Sequence, residues 1–112
     1  MLEELESLES PFEILELGDG ESISLRILDW KLGKGTIIPK GLGRSKLIRI
    51  LRIWVPEELK AFEPRYYDIT GQTLIYQLLP HLEKPDFKTK RFIVTKHGVA
   101  PRARFTLEVV PL

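Results

Sequence analysis

The segment Lys90–Val110 constrains the fold most, because an apolar run and an alternating strand pattern lie on either side of a short break. An apolar, β-favouring run covers residues 92–94, and Gly98 and Pro101 then interrupt it. From Arg102 onward an apolar side chain falls at every second position, which is the period of a half-buried strand. The segment therefore predicts a β-hairpin with one face in a core and a basic outer face.

Charge is sorted into blocks along the chain, although the formal net charge is only +1. Residues 1–29 carry nine acids and one base, whereas residues 30–52 carry seven bases and no acid. Residues 87–105 carry six bases and again no acid. Two acid-free basic blocks on a strand-rich chain favour a polyanionic partner, and the simplest such partner is nucleic acid.

Two further segments have the pattern of strands. In Ser22–Trp30 the side chains of Ile23, Leu25 and Ile27 fall on one face, which we expect to be buried. In Lys46–Val55 the odd-numbered positions are the more apolar set. The remaining side chains of both segments are predicted to share one solvent face, namely Arg26, Trp30, Lys46, Arg52 and Trp54.

The other segments are connections, a short strand and a helix. Leu32–Gly43 is rich in glycine and lysine, and we interpret it as a flexible cationic loop without the spacing of a phosphate-binding loop. Arg65–Ile69 is predicted as a short strand. Within Gly71–Leu82 leucine and isoleucine recur at helical spacing, which predicts one amphipathic helix. Pro80 is expected to end that helix just before its last turn.

The order of these elements predicts a mainly β domain with one helix. Five short strands with a helix between the third and fourth is the layout of an OB-fold-like barrel. Residues 11–112 are expected to form this single domain, and the acidic residues 1–10 a mobile N-terminal arm. Such an arm is expected either to occupy a basic groove in cis or to recruit a partner.

The chain also resembles the small OB-fold single-stranded-DNA-binding proteins of phages and prokaryotic viruses. The similar segments are Phe12–Asp29, Tyr66–Leu82 and Ile93–Pro111. In the last segment a basic residue two before a glycine, and then a basic–aromatic pair, fall on Lys96, Gly98, Arg104 and Phe105. The resemblance implies binding of unpaired DNA. This chain departs from such proteins because its acidic segment is at the N-terminus, whereas theirs is often a C-terminal tail.

These observations predict a protein that coats or protects single-stranded DNA, or RNA, without catalysis and without a cofactor. Aromatic rings would stack on bases and cations would contact phosphates. Of Tyr66 and Tyr67, which are adjacent in a strand and so point to opposite faces, at most one is a platform. Phe92 is more readily a core residue, as is Phe105. The predicted binding residues are Arg26, Trp30, Lys31, Lys46, Arg49, Arg52, Trp54, Tyr67, Lys96, His97, Arg102 and Arg104.

Enzymatic functions are not favoured by the sequence. It contains no cysteine, and its two histidines, His81 and His97, are isolated from any pattern of zinc ligands. No Ser–His–acid set is evident. We therefore predict neither a metal site nor a catalytic centre.

A protein–protein adaptor or scaffold subunit of a replication or viral assembly is the alternative function. The outward Leu28 and Trp30 and the spacing of Leu2, Leu5 and Leu8 motivate it. A homodimer and a replication partner held by the acidic arm would fit either function, and a duplex-DNA-binding protein is a third option. We expect a cytoplasmic protein, in the host cytoplasm if viral. The absence of asparagine and the many charged residues are typical of thermophilic sources.

Overall fold

The structure, a computed structural model, describes residues 4–38, 43–99 and 102–112. Two three-stranded antiparallel sheets and one α-helix make up the fold, so the prediction of a mainly β protein with one helix is confirmed. Leu2 and Pro101, named above, lie outside the described residues. The elements are β1 (Ser22–Leu25), β2 (Asp29–Ile37), β3 (Lys46–Trp54), β4 (Tyr66–Ile69), α1 (Gln72–Leu82), a 3-10 helix (Pro85–Thr89), β5 (Lys90–His97) and β6 (Arg104–Pro111).

One sheet has the strand order β1-β5-β6 and the other the order β2-β3-β4. The inward faces of both sheets and one side of α1 form the main core. Leu51 and Ile53 of β3 enter it from one sheet, and Phe92 and Val94 of β5 from the other, all fully buried. The alternation found in the sequence therefore correctly identifies the core faces of β3 and β6.

The predicted strand Ser22–Trp30 is interrupted, and this interruption changes which side chains are buried. Arg26–Leu28 separates β1 from β2, so the described chain has six strands and not five. Ile27 is still buried, but beyond the break the even-numbered side chains of Trp30 and Leu32 pack against the core. A shift of one residue in a strand exchanges its two faces. The prediction that Trp30 lies on the outer face is therefore wrong.

The predicted loop Leu32–Gly43 is largely strand, because β2 continues to Ile37 and pairs with β3 along its whole length. Glycine weakens an isolated strand, but it permits close approach of another part of the chain. A Cβ atom on Gly33 would lie 2.6 Å from Cγ of Leu8. One on Gly35 would lie 2.9 Å from the ring of Phe12 and 2.5 Å from Ile50. The two glycines therefore make room for the N-terminal residues.

The predicted helix is confirmed, with two local differences. It begins after Gly71, which provides no side-chain cap, and it continues past Pro80 to Leu82. Leu74, Ile75, Leu78 and Leu82 are buried on its inner side, as the spacing predicts. Over the described ranges, no helix has the length and apolar character needed to cross a bilayer.

Residues 6–15 form a segment, here named the strap, which runs from the edge of β2 to the edge of β4. At β2, the amide of Leu8 donates to the carbonyl of Lys34, and the amide of Lys34 donates to that of Glu6, both at 2.9 Å. At β4, Asp68 exchanges backbone hydrogen bonds of 2.7 and 2.9 Å with Glu13 and Leu15. The described residues of the predicted mobile arm thus contact the sheet, which differs from the expectation of a free arm.

Candidate nucleic-acid interface

The strap covers one face of the β2-β3-β4 sheet, and a buried ion pair lies at the centre of this covered face. Arg52 of β3 and Asp68 of β4 are cross-strand partners, and they are 7% and 0% exposed. Both carboxylate oxygens of Asp68 accept from the Arg52 guanidinium, at 2.8 and 3.0 Å. The hydrogen bond to Asp68 raises the pKa of Arg52, and burial acts in the opposite direction. Arg52 is therefore held as a cation with its partner already in place.

The same ion pair binds the strap. In addition to its two bonds to Asp68, the Arg52 guanidinium donates to the carbonyl of Glu9 at 2.9 Å. Asp68 Oδ2 accepts from the amide of Glu13 at 3.2 Å. Because both charged groups are buried and bonded to strap backbone, Arg52 is not accessible to a phosphate. Its predicted role as a phosphate contact does not fit this environment.

Two aromatic rings adjoin Arg52 on the covered face. Its guanidinium carbon lies 3.9 Å from the centroid of the Tyr66 ring, and the Tyr66 and Trp54 rings are 6.0 Å apart. The hydroxyl of Tyr66 donates to the carbonyl of Pro11 in the strap. Trp54 is half-buried. Both rings therefore already contact other side chains or backbone of this chain.

Apolar side chains of the strap complete the covered face. Leu8 is 8% exposed, and Ile50, opposite Gly33 on β3, is fully buried although it lies outside the main core cluster. Phe12 lies within contact distance of Gly35 beside Ile50. Full burial of a side chain such as isoleucine is worth about 1.5–3 kcal/mol, so the strap contributes a second, smaller core.

The predicted single face carrying both tryptophans is absent from the described sheet. Trp30 is paired with Ile53 and packs on the core, whereas Trp54, one residue on from Ile53, points to the covered face. Tyr67 likewise packs on the core, and Tyr66 has the outer position. The prediction that Trp30, Arg52 and Trp54 share one solvent face is therefore wrong, because the strand break reverses Trp30.

Lys31 also lies on the covered side, where it pairs with the strap. Its Nζ is 2.7 Å from Oε2 of Glu6. The hydrogen bond from Lys31, and then its charge, hold the pKa of Glu6 below the ordinary 4.5. Lys31 is thus paired with a strap carboxylate.

The opposite face of the β2-β3 hairpin carries a basic and aromatic surface, which we name the Arg49–Tyr76 patch. Its two cations are half-buried and its aromatic ring is exposed. Lys34 and Arg49 are cross-strand partners. The Arg49 guanidinium donates to the Tyr76 hydroxyl at 2.7 Å, and its Cζ lies 4.7 Å from the centroid of that ring. Tyr76 is 60% exposed. The patch comprises Lys34, Thr36, Leu47, Arg49 and Tyr76.

The cations of this patch differ from those under the strap. Among the described residues, neither Lys34 nor Arg49 forms an ion pair. Leu47, predicted to be buried, is 46% exposed, because β2 and β3 extend beyond the part of the sheet that the core covers. An unpaired guanidinium beside an accessible ring is the combination that holds a phosphate and a base together.

Sequence reasoning did not identify Tyr76 as a site residue. It lies in α1, outside the positions that pack into the core. The available signal was an aromatic residue on the polar side of an amphipathic helix. Its partner Arg49, in contrast, was predicted, and its backbone carbonyl accepts a 2.9 Å hydrogen bond from Gln72 of the same helix.

The predicted basic residues of the β5-β6 hairpin are divided between its two faces. His97 and Arg104 are exposed cross-strand partners on the outer face, where His97 Nε2 lies 3.1 Å from the Thr106 hydroxyl. Lys96 is paired with Phe105 and is half-buried on the inner side. Arg102 is exposed in the turn. The outer face of this hairpin is therefore cationic near its turn, as predicted, but without Lys96.

The two remaining predicted cations are exposed but separated from each other. Lys46 begins β3, opposite Ile37. Arg26 lies at the break after β1 and adjoins Arg91 in a cleft. Two of the residues that suggested an adaptor pack within the fold: Leu8 is buried and Trp30 packs on the core. Leu28 stays 39% exposed.

Comparison with protein-family models, curated proteins and solved structures gives no match for this chain. In the described ranges, no group of three or more His, Asp or Glu side chains is placed to hold a metal ion. The geometry of the two sheet faces is therefore the basis for assigning a function.

Proposed function

We propose that the protein binds single-stranded nucleic acid, by preference DNA, through the Arg49–Tyr76 patch and without catalysis. The observation that carries the proposal is the unpaired Arg49 guanidinium held against a Tyr76 ring that is 60% exposed. Lys34, directly opposite Arg49, adds a second cation. Stacking of a base on such a ring is worth about 1–3 kcal/mol and tolerates any base.

An OB-like arrangement is part of this proposal. β1 and β2 are separated by only three residues and take part in different sheets, so they can be regarded as one bent strand. Counted in this way, the chain has five strands with α1 between the third and fourth, which is the OB order. OB-folds bind oligonucleotides on the outer face of the second and third strands. Here the strap covers that face, so we assign binding to the Arg49–Tyr76 patch on the opposite face of the β2-β3 hairpin.

Fluorescence anisotropy of a labelled oligo-dT strand, measured at several salt concentrations, tests the proposal. We expect binding at low salt and an affinity that falls as salt rises, since phosphate contacts release counterions. Tyr76→Ala should weaken binding roughly 5- to 150-fold by removing the ring. Tyr76→Phe keeps the ring and should retain most of the affinity. Competition with oligo-rU and with duplex DNA measures the preference for unpaired DNA.

Phe62→Ala is the matched control, because Phe62 is an exposed aromatic, at 84%, in the loop between β3 and β4. It should bind as the unchanged protein does. No binding at low salt, an affinity independent of salt, or equal affinities for Tyr76→Ala and the unchanged protein would each refute the proposal.

A further inference from the structure

An open cleft of about 330 Å³ lies between the end of β1 and the loop that joins β3 to β4. It is separate from the Arg49–Tyr76 patch and shares no residue with it. One side of the cleft is polar and the other is largely apolar. Its lining residues are Ser24, Arg26, Pro56, Glu58, Leu59 and Arg91.

The two arginines of the cleft are brought together by the strand register. β1 and β5 pair antiparallel, and their last pair is Leu25 with Phe92. Arg26 follows Leu25 and Arg91 precedes Phe92, so the two arginines lie just beyond this last pair, and both line the cleft. Like charges on neighbouring strands repel each other. An anion bound between the two guanidinium groups would remove this repulsion.

No acid in the described part of the chain neutralises these two guanidinium groups. Neither Arg26 nor Arg91 has a carboxylate within ion-pair distance, although Glu58 lies in the same cleft. Elsewhere the fold pairs its central cations closely, as in Arg52 with Asp68 at 2.8 Å. The Arg26–Arg91 pair thus has no acidic partner among the described residues, and unlike Lys34 and Arg49 it lines a cleft.

The chemistry of the lining indicates the type of anion. Guanidinium groups match phosphate with two parallel hydrogen bonds, and two of them balance a phosphate dianion. Ser24, two residues before Arg26 on the same strand face, adds a hydroxyl donor. Pro56 and Leu59 provide an apolar wall, and a cleft near 300 Å³ is at the small end of ligand sites.

We propose that this cleft binds a phosphate monoester of about mononucleotide size. The phosphate lies between Arg26 and Arg91, and the organic group lies against Pro56 and Leu59. This site does not depend on the strand-binding function assigned to the Arg49–Tyr76 patch.

Thermal unfolding of the full chain with sodium phosphate, compared with sodium chloride at equal ionic strength, tests the site. A ligand at about ten times its dissociation constant should raise Tm by on the order of 5 °C. Thymidine monophosphate should act at lower concentration than inorganic phosphate, and thymidine should have no effect. Equal half-saturation by the nucleotide and inorganic phosphate would refute the role of the apolar wall.

Arg91→Gln gives the sharpest result, because it should raise Tm in the absence of ligand and reduce the further increase in Tm that phosphate causes. Without ligand its Tm should rise by about 1–5 °C, since the like-charge contact is gone. With phosphate it should gain little further. Lys88→Gln, which removes an exposed cation outside the cleft, should leave the phosphate response intact.

Three outcomes would overturn the proposal. Equal stabilisation by chloride and phosphate would mean simple screening. An unchanged phosphate response in Arg91→Gln would place the ligand elsewhere. Loss of the response in Lys88→Gln as well would mean a diffuse charge effect. Binding of oligo-dT by Arg91→Gln, measured in parallel, should be unchanged, so the two sites are tested separately.

Discussion

The two faces of the β2-β3 hairpin carry similar residue types but hold them in different ways. On one face Arg52 stacks on Tyr66, is paired with the buried Asp68 and lies beneath the strap. On the other face Arg49 contacts Tyr76 with no acidic partner among the described residues, and the ring is open to solvent. An arginine beside an aromatic ring therefore indicates binding only where its charge is unpaired and its ring accessible.

The largest expected effect on the free energy of unfolding comes from removing the buried ion pair of the covered face. Asp68→Ala leaves the Arg52 guanidinium buried without its carboxylate and removes a strap contact. Loss of one partner of a buried pair costs about 3–5 kcal/mol in the free energy of unfolding. Urea denaturation measures this loss.

Glu57→Ala is the control for Asp68→Ala, because it removes an exposed ion pair of 3.9 Å with Arg65. Exposed pairs are worth about 0–1 kcal/mol. Similar losses in the two variants would contradict a structural role for the covered face.

The next effect concerns the contact between strap and sheet. Gly33→Ala places a methyl group 2.6 Å from Leu8 and 2.8 Å from the carbonyl oxygen of Glu6. Overpacking of this kind costs about 1–3 kcal/mol. In urea denaturation the double variant with Leu8→Ala should lose less stability than the sum of the single variants, because the smaller side chain makes room. Strict additivity would show that the two residues do not touch.

The comparison can be sharpened with two lysines of the same strand. Lys34 and Lys31 lie three residues apart on β2 and face opposite sides of the sheet. Lys34→Gln should weaken oligo-dT binding several-fold and reduce the slope of log affinity against log salt by roughly 0.7, the value of one phosphate contact. Lys31→Gln should change neither quantity. A larger effect of Lys31→Gln would place the DNA on the covered face.

The smallest effect is on the pH dependence of stability. Lys31 lowers the pKa of Glu6 in the folded protein, so this pair stabilises the fold at pH values above 4.5. The contribution is lost as the pH falls through the lower folded pKa. Glu6→Gln should lower stability slightly at neutral pH and leave it unchanged below the folded pKa of Glu6, so this part of the acid destabilisation disappears from the denaturation curves. Identical pH profiles of the two proteins would contradict the pairing.

Local patterns were sufficient to predict the strands and the helix that face the main core. Alternation in Arg104–Pro111 and helical spacing in Gln72–Leu82 are properties of neighbouring residues, and both elements form where expected. Phe105, interpreted from this alternation as a core residue, packs against the core, and Phe92, predicted more readily as a core residue than as a stacking platform, is buried in it. Arg49 was also predicted as a site residue from its position within an apolar strand.

Features that depend on distant parts of the chain were not predicted. Gly33 and Gly35 suggest a loop, but they are in a strand because Leu8 and Phe12 pack on them from more than twenty residues away. Trp30 was assigned to the wrong face because the break at Arg26–Leu28 shifts the alternation by one residue. The burial of Arg52 follows from Asp68 and the strap, which no local pattern reveals.

Amide chemical shifts and hydrogen exchange, recorded while oligo-dT is added, test the central claim most directly. We predict that shift changes concentrate at Lys34, Arg49 and Tyr76, while the strap amides of Leu8 and Leu15 keep their positions and their protection from exchange. Loss of that protection on binding, with shift changes at Arg52 and Trp54, would contradict the account, since the covered face would then be the one that holds the strand.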